Sequence, residues 1–222
     1  MNTYLIRLKL LSDTTFGRGD GVSGLLDSEV QHDADGLPYL GGRTLKGLLR
    51  NECIKIMGAL RSQGLSQCFE PSASRLFGSP GTTEDPSGIM HVGNARLPED
   101  LCRAVHKDVR RGTLKPWEVL DSLTTIRRQT AIDPVSGAPQ ENTLRSVRVI
   151  IRGLPFTAQV SFAVAPSVHD LALLAACVKA LRRVGEGRNR GRGLVECRLL
   201  DGAAVDCTDH YFAEFRRAIT GC

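Results

Sequence analysis

The chain is poor in aromatic residues: Phe, Trp and Tyr together make up 5% of its 222 residues. No strand-like stretch carries the paired aromatics on which an RNA-recognition motif stacks bases, so any nucleic acid would be gripped through backbone, loops and charge. Long apolar runs are also missing; none approaches the roughly 20 residues a membrane span needs. The opening MNTYLIRLKLLSD alternates polar and apolar residues like a strand and lacks the basic-then-apolar order of a signal peptide. The seven cysteines (Cys53, Cys68, Cys102, Cys177, Cys197, Cys207 and Cys222) are odd in number, and no two are separated by only two residues. A secreted disulfide framework and a zinc ribbon are therefore unsupported, and a reduced, cytoplasmic chain with cysteines as small buried hydrophobes is expected. No internal repeat or linker divides the sequence. The five histidines (His32, His91, His106, His169, His210) are scattered without a Ser or Cys partner, which leaves a triad-type nucleophile without support.

What is present is ordinary globular composition, 41% hydrophobic and 24% charged, with an uneven charge distribution. Residues 143–198 hold ten Lys/Arg against three acids, whereas residues 12–37 hold six acids against Arg18 alone. A basic surface beside an acidic loop suits a polyanion to which carboxylates are presented, or else is a pair of solvated faces; charge alone leaves both open.

Periodicity predicts a strand over 3–11, a Gly- and Asp-rich loop over 12–36, and a helix from about Gly42. That helix has Leu45, Leu48, Leu49, Cys53, Ile56 and Met57 on one face and Arg43, Lys46 and Arg50 off it. Residues 61–87 read as polar and turn-rich, 88–97 as a strand, and 98–124 as an irregular or helical insertion. Asp133-Pro134 and Ser136-Gly137 mark a protruding hairpin tip. Two strands separated by RGLP, a second helix over 168–183 and a last strand LVECRLL complete the order β-α-β-β-α-β. That order predicts one α+β domain over 1–222 with a ferredoxin-like (RRM-like) core, large loop insertions and a thumb hairpin at about 125–145. Core elements are expected near 1–11, 37–60, 88–97 and 145–200.

Two stretches carry candidate chemistry. VGEGRNRGRGLVE, residues 184–196, alternates Gly185, Gly187, Gly191 and Gly193 with Arg188, Arg190 and Arg192. Glycine lets a backbone approach phosphate and arginine adds forked charge, although a flexible helix-to-strand turn has the same composition. It is neither a Walker loop nor a dinucleotide fingerprint, because a helix precedes it and a strand follows. LLDSEV, residues 25–30, sets Asp27 and Glu29 two apart; as loop carboxylates they are solubilisers, metal ligands or catalytic groups.

These segments, in order, resemble a known family. LLDSEV leading into GLPYLGGRTLKGLLRNE, then RLFG at 75–78, IDPVSGAPQENTLR at 132–145 and GEGRNRGRG are similar to the RAMP backbone subunits (Csm/Cmr-type) of type III CRISPR effector complexes. The resemblance implies a cytoplasmic, membrane-free subunit that grips guide CRISPR RNA beside other copies of itself and other effector subunits. Its thumb, including Ile132, Pro134 and Leu144, would press on bases of the guide–target duplex. Arg43, Lys46, Arg50, Arg188, Arg190 and Arg192 would bind RNA phosphates. Asp27 falls on the family's catalytic aspartate and would cut complementary target RNA at regular intervals with a divalent metal, Mg2+, in a reaction involving the adjacent ribose 2′-hydroxyl. The sequence departs from the pattern at Glu29, where the family often has proline, and at Arg43, where a small hydroxyl residue is usual. Glu29 is expected to face solvent, with metal ligation the lesser reading. The alternatives are a non-catalytic RNA-binding or capping subunit of the same kind of complex and a related CRISPR-RNA-processing endoribonuclease. The second would want a histidine acid/base site.

Overall fold

The computed structural model describes residues 3–21, 26–78, 88–133, 136–140 and 143–221. Tyr4–Leu10 (β1) buries Ile6, Leu8 and Leu10 and exposes Arg7 and Lys9, the period-2 alternation of a half-buried strand. Gly42–Ser62 (α1) follows, burying Leu45, Leu48, Leu49, Cys53, Met57 and Leu60 as one stripe. The remaining elements are Glu70–Phe77 (α2), Met90–Val92 (β2), Glu99–Arg110 (α3), Pro116–Leu123 (α4), Thr124–Gln129 (β3) and Arg145–Ile150 (β4). Pro155–Phe162 (β5), Val168–Ala180 (α5), Val195–Leu200 (β6) and Thr208–Thr220 (α6) complete the chain.

Four strands form an antiparallel sheet in the order β2-β5-β1-β6, with α1 after β1 and α5 after β5. This is the expected ferredoxin-like core. Ile6 pairs with Ala158 and Leu199, and Leu8 with Phe156 and Cys197, so one face of the sheet is apolar and meets the helices. Helix α5 lies against α1, α2, α6 and β6 and is buried on nearly every side, from Asp170 to Val178. A helix enclosed this way can be apolar all round, as LALLAACV is. Its start is fixed by a reciprocal cap. The Asp170 N–H donates to Ser167 Oγ at 3.1 Å, and the Ser167 N–H donates to Asp170 Oδ2 at 2.8 Å.

Several expectations need correction. Strand β4 begins where the core was expected to resume, yet it stays out of the core sheet and forms a separate two-stranded ribbon with β3. The core sheet had no place for it, because β5 already has β1 on one edge and β2 on the other. Regular strand within 88–97 shrinks to Met90–Val92; beyond it, single bridges carry Ala95 to Leu40 and Arg96 to Thr157. The turn-rich 61–87 contains α2, whose Leu76 and Phe77, from RLFG, are buried. The insertion at 98–124 is helical, and α6, absent from the sequence reading, packs on α5. Cys53, Cys177 and Cys197 are free and buried, as expected of small hydrophobes, and burial pushes the Cys197 thiol up to about 12. Cys68 departs from the reduced reading, being disulfide-bonded. Among the described residues no helix is long and apolar enough to cross a membrane.

Candidate nucleic-acid interface

The acidic loop is more ordered than its composition suggests. Residues 16–20 run antiparallel to 27–31 through a bridge between Gly17 and Val30, with the Arg18 N–H donating to the Glu29 carbonyl at 3.0 Å and the Gln31 N–H to the Phe16 carbonyl at 2.6 Å. On its other side this segment runs parallel to β4, with Ser28 bridged to Val147. Buried Phe16, Leu26 and Val30 pin it, and Phe16 meets Phe156 edge-on with ring centres 5.2 Å apart. Asp27 is exposed between these anchors. Its N–H donates to the Ser146 carbonyl at 2.8 Å, and its Oδ2 accepts from the Ser146 N–H at 2.7 Å. Oδ1 takes no hydrogen bond among the described residues.

Glu29 does not face solvent. It is 4% exposed, and Arg148 on β4 approaches its carboxylate at 3.0 Å, while the Val30 N–H donates to Oε1 at 2.8 Å. Arg148 also donates to Asp121 of α4 at 2.6 Å and to Thr124 of β3 at 3.1 Å. Glu29 thus ties the acidic loop, through Arg148, to α4 and the base of the ribbon. A buried carboxylate persists as a charge only with such a partner.

The glycine-rich loop docks against the first half of the acidic loop. Gly185 (φ 76°) and Gly193 (φ 72°) sit where a Cβ would lie 2.5 Å from the Thr15 carbonyl oxygen and 2.0 Å from the Val184 carbonyl oxygen. Only glycine combines that backbone conformation with that closeness. The Glu186 N–H donates to the Thr15 carbonyl and the Gly193 N–H to the Asp13 carbonyl, while Ser28 Oγ donates to Glu186 Oε2 at 2.7 Å.

The loop's arginines thereby enter clefts. One of about 280 Å³ contains Asp27 together with Arg145, Arg190 and Arg192. Of the other carboxylates there, Asp20 is forked by Arg18 at 2.7 and 3.1 Å, and Glu186 is held by Ser28 with its other oxygen against Gly17. Burial first, and then the guanidiniums of Arg127 and Arg190, hold Arg192 below the usual arginine value. Arg188 lines a larger cleft of about 740 Å³ with Lys55 and Arg182, on the side of the loop facing α1 and α5.

Arg43, Lys46 and Arg50 are not in these clefts. They lie three and four residues apart on one flank of α1, and Lys46 Nζ reaches β2, donating to the Met90 carbonyl at 2.7 Å. Burial, and then Arg50, holds the Lys46 ammonium below the usual lysine value. In the thumb, β3 and β4 pair from Thr124–Ile150 to Gln129–Arg145, and a bridge between Ile132 and Pro139 continues toward the tip. Ile132 and Leu144 are each 65% exposed; Pro134 lies outside the described residues. The sequence reading missed Arg127, Arg128 and Arg152 at the thumb base. Their signal was the basic pair inside TTIRRQT, which gains meaning only when β3 is placed opposite the glycine-rich loop.

Fold and cleft define an α+β chain with a ferredoxin-like sheet, a two-stranded thumb and an arginine-lined cleft ending at an exposed carboxylate. The model of the RAMP superfamily matches residues 7–196, and the chain belongs to that superfamily. Among solved structures it is similar to a chain of the Type III-B Cmr-beta complex bound to cognate target RNA, with TM-score 0.63 and 13% identity over 89% of this chain and 96% of that one. A chain of the same complex in its apo state gives TM-score 0.62 and 12% identity over the same shares. At that identity the likeness is one of fold. A search among curated proteins gave no match.

Proposed function

We propose that the chain is a guide-RNA-binding backbone subunit of a type III CRISPR ribonucleoprotein, and that Asp27 cuts complementary target RNA with a divalent metal. The observation that carries this reading is Asp27 itself, exposed with Oδ1 uncommitted in a cleft walled by Arg145, Arg190 and Arg192. Superfamily membership and similarity to chains of a target-RNA-bound complex support it. Copies of the chain would stack along the guide beside other effector subunits. Ile132 and Leu144 at each thumb would wedge between bases, loosening the duplex so that one ribose can reach Asp27. The arginines would hold phosphates in forked contacts, with Arg43, Lys46 and Arg50 on α1 gripping the guide elsewhere.

The donor set fits a loosely held Mg2+. Among the described residues no three His, Cys, Asp or Glu side chains cluster to cage an ion, but Mg2+ is commonly bound by one or two carboxylates plus substrate phosphate and water. Asp27 would hold it, and the ion would supply charge stabilisation at the reacting phosphate. Asp27 Oδ2, bonded to Ser146, fixes the carboxylate's orientation.

That same bond favours a second reading, a non-catalytic RNA-binding subunit in which Asp27 only staples the loop to β4. Purification with the neighbouring gene products and a CRISPR array, followed by sequencing of bound RNA, tests the class; repeat-derived guides are expected and their absence contradicts it. The same preparation should cut complementary RNA with Mg2+ and stop with EDTA. Guide retention without cleavage selects the second reading.

A further inference from the structure

Asp27 stands between two separately built pieces. Its own hydrogen bonds hold it to β4 through Ser146, and the neighbouring Ser28 carbonyl accepts from the Arg148 N–H at 3.1 Å. The arginines Asp27 faces, Arg190 and Arg192, belong instead to the glycine-rich loop. That loop is docked on the first half of the acidic loop. Thr14 Oγ1 donates to the Val184 carbonyl at 3.1 Å, and the Glu186 and Gly193 N–H groups donate to the Thr15 and Asp13 carbonyls. The half that carries Asp27, residues 26–31, is joined to residues 184–193 by one hydrogen bond among the described residues. It runs from Ser28 Oγ to Glu186 Oε2 at 2.7 Å.

The second oxygen of Glu186, Oε1, lies over Gly17, where a Cβ on that residue would sit. Gly17 does not have a positive φ, so its missing side chain makes room for the carboxylate and serves no unusual backbone. Gly17 is in turn bridged to Val30, so Glu186 touches both halves of the acidic loop. Glu186 and Ser28 line the same cleft as Asp27. A carboxylate there repels phosphate and gives no grip on RNA, which leaves holding the protein itself as its use. We propose that Glu186 is a positioning residue for RNA cleavage: by accepting the Ser28 hydroxyl it fixes the gap between Asp27 and the arginines across the cleft. A phosphate seated on Arg190 and Arg192 then presents its ribose to the carboxylate. With this latch open the chain still binds RNA but aligns it poorly. This rests on the reading that Asp27 cleaves RNA; the latch is the new element.

The test follows single-turnover cleavage of a fluorescein-labelled complementary RNA by the guide-loaded complex with Mg2+. Ser28→Ala, Glu186→Ala and the double variant are compared with Glu186→Gln, whose amide oxygen still accepts from the hydroxyl. Each alanine variant should cut about 10- to 100-fold more slowly at saturating target, the loss a misplacement of about 1 Å brings. Guide content and melting temperature should stay native. Target affinity should hold or, at Glu186, tighten, because an anion leaves the phosphate path. The double variant should be no slower than the slower single one, since both break one bond, and Glu186→Gln should recover most of the rate. Gly17→Ala, which pushes the carboxylate aside without removing it, should cut as slowly as Glu186→Ala. Wild-type rates in the alanine variants, losses that multiply in the double variant, or Glu186→Gln as slow as Glu186→Ala would each overturn the latch while leaving cleavage intact. Weaker target binding at an unchanged maximal rate overturns it too, making Glu186 a binding group. A wild-type complex that holds guide and target without cutting takes down both the latch and the reading beneath it.

Discussion

Asp27 and Glu29 show how far a side chain's role depends on its partner. Residues two apart on a regular strand share a face, yet one of these is exposed and the other buried. The segment is held by isolated bridges to Gly17 and Val147, so no continuous ladder enforces the period. The motif register singled out Asp27, but Glu29 was illegible because Arg148 lies 119 residues away. Removing that arginine leaves a carboxylate buried without its counter-charge. Arg148→Ala should therefore cost about 3–5 kcal/mol in a urea unfolding midpoint analysis, with Glu29→Leu/Arg148→Met recovering most of it. A loss under about 1 kcal/mol, the range of exposed pairs, would show that Glu29 is hydrated and the tie is weak.

At the level of elements, what was local was readable. Helix α1 announced itself by its apolar stripe, and the glycine-rich loop by alternation of Gly with Arg. Pairings between distant segments were not readable: β4 with β3, the acidic loop with β4, and α6 with α5. Helix α2, EPSASRLF, is short and interrupted by serines and proline, so its apolar pair gave no period to detect. Two predictions belong here. Gly193→Ala forces a Cβ against the Val184 carbonyl at positive φ, a strain of order 1–3 kcal/mol. It should displace the arginines and weaken RNA binding in a salt titration while circular dichroism stays native; unchanged affinity would separate the loop's shape from RNA binding. In the thumb, Ile132→Asp with Leu144→Asp should leave the melting temperature within about 2 °C, since both side chains are exposed and surface changes are near neutral. Target cleavage by the assembled complex should fall; undiminished cleavage would mean that the thumb's apolar residues do not wedge bases.

Over the whole molecule, a net charge of +5 understates the field that RNA would meet. Arginines from β3, β4, the β4–β5 turn and the glycine-rich loop converge on one side, and the acidic loop offers them one carboxylate with a free oxygen. The ferredoxin-like sheet serves as a platform; the interface is built by segments inserted between its strands and stitched together at their bases. The central claim is that Asp27 is the chemistry and its surroundings are the grip. Asp27→Asn tests it most directly, because an amide oxygen still accepts from the Ser146 N–H while the charge is gone. In a guide-loaded complex, cleavage of complementary RNA should fall about 100-fold or more, with guide content and melting temperature unchanged. Cleavage at the wild-type rate would contradict the account and leave the chain a binding subunit.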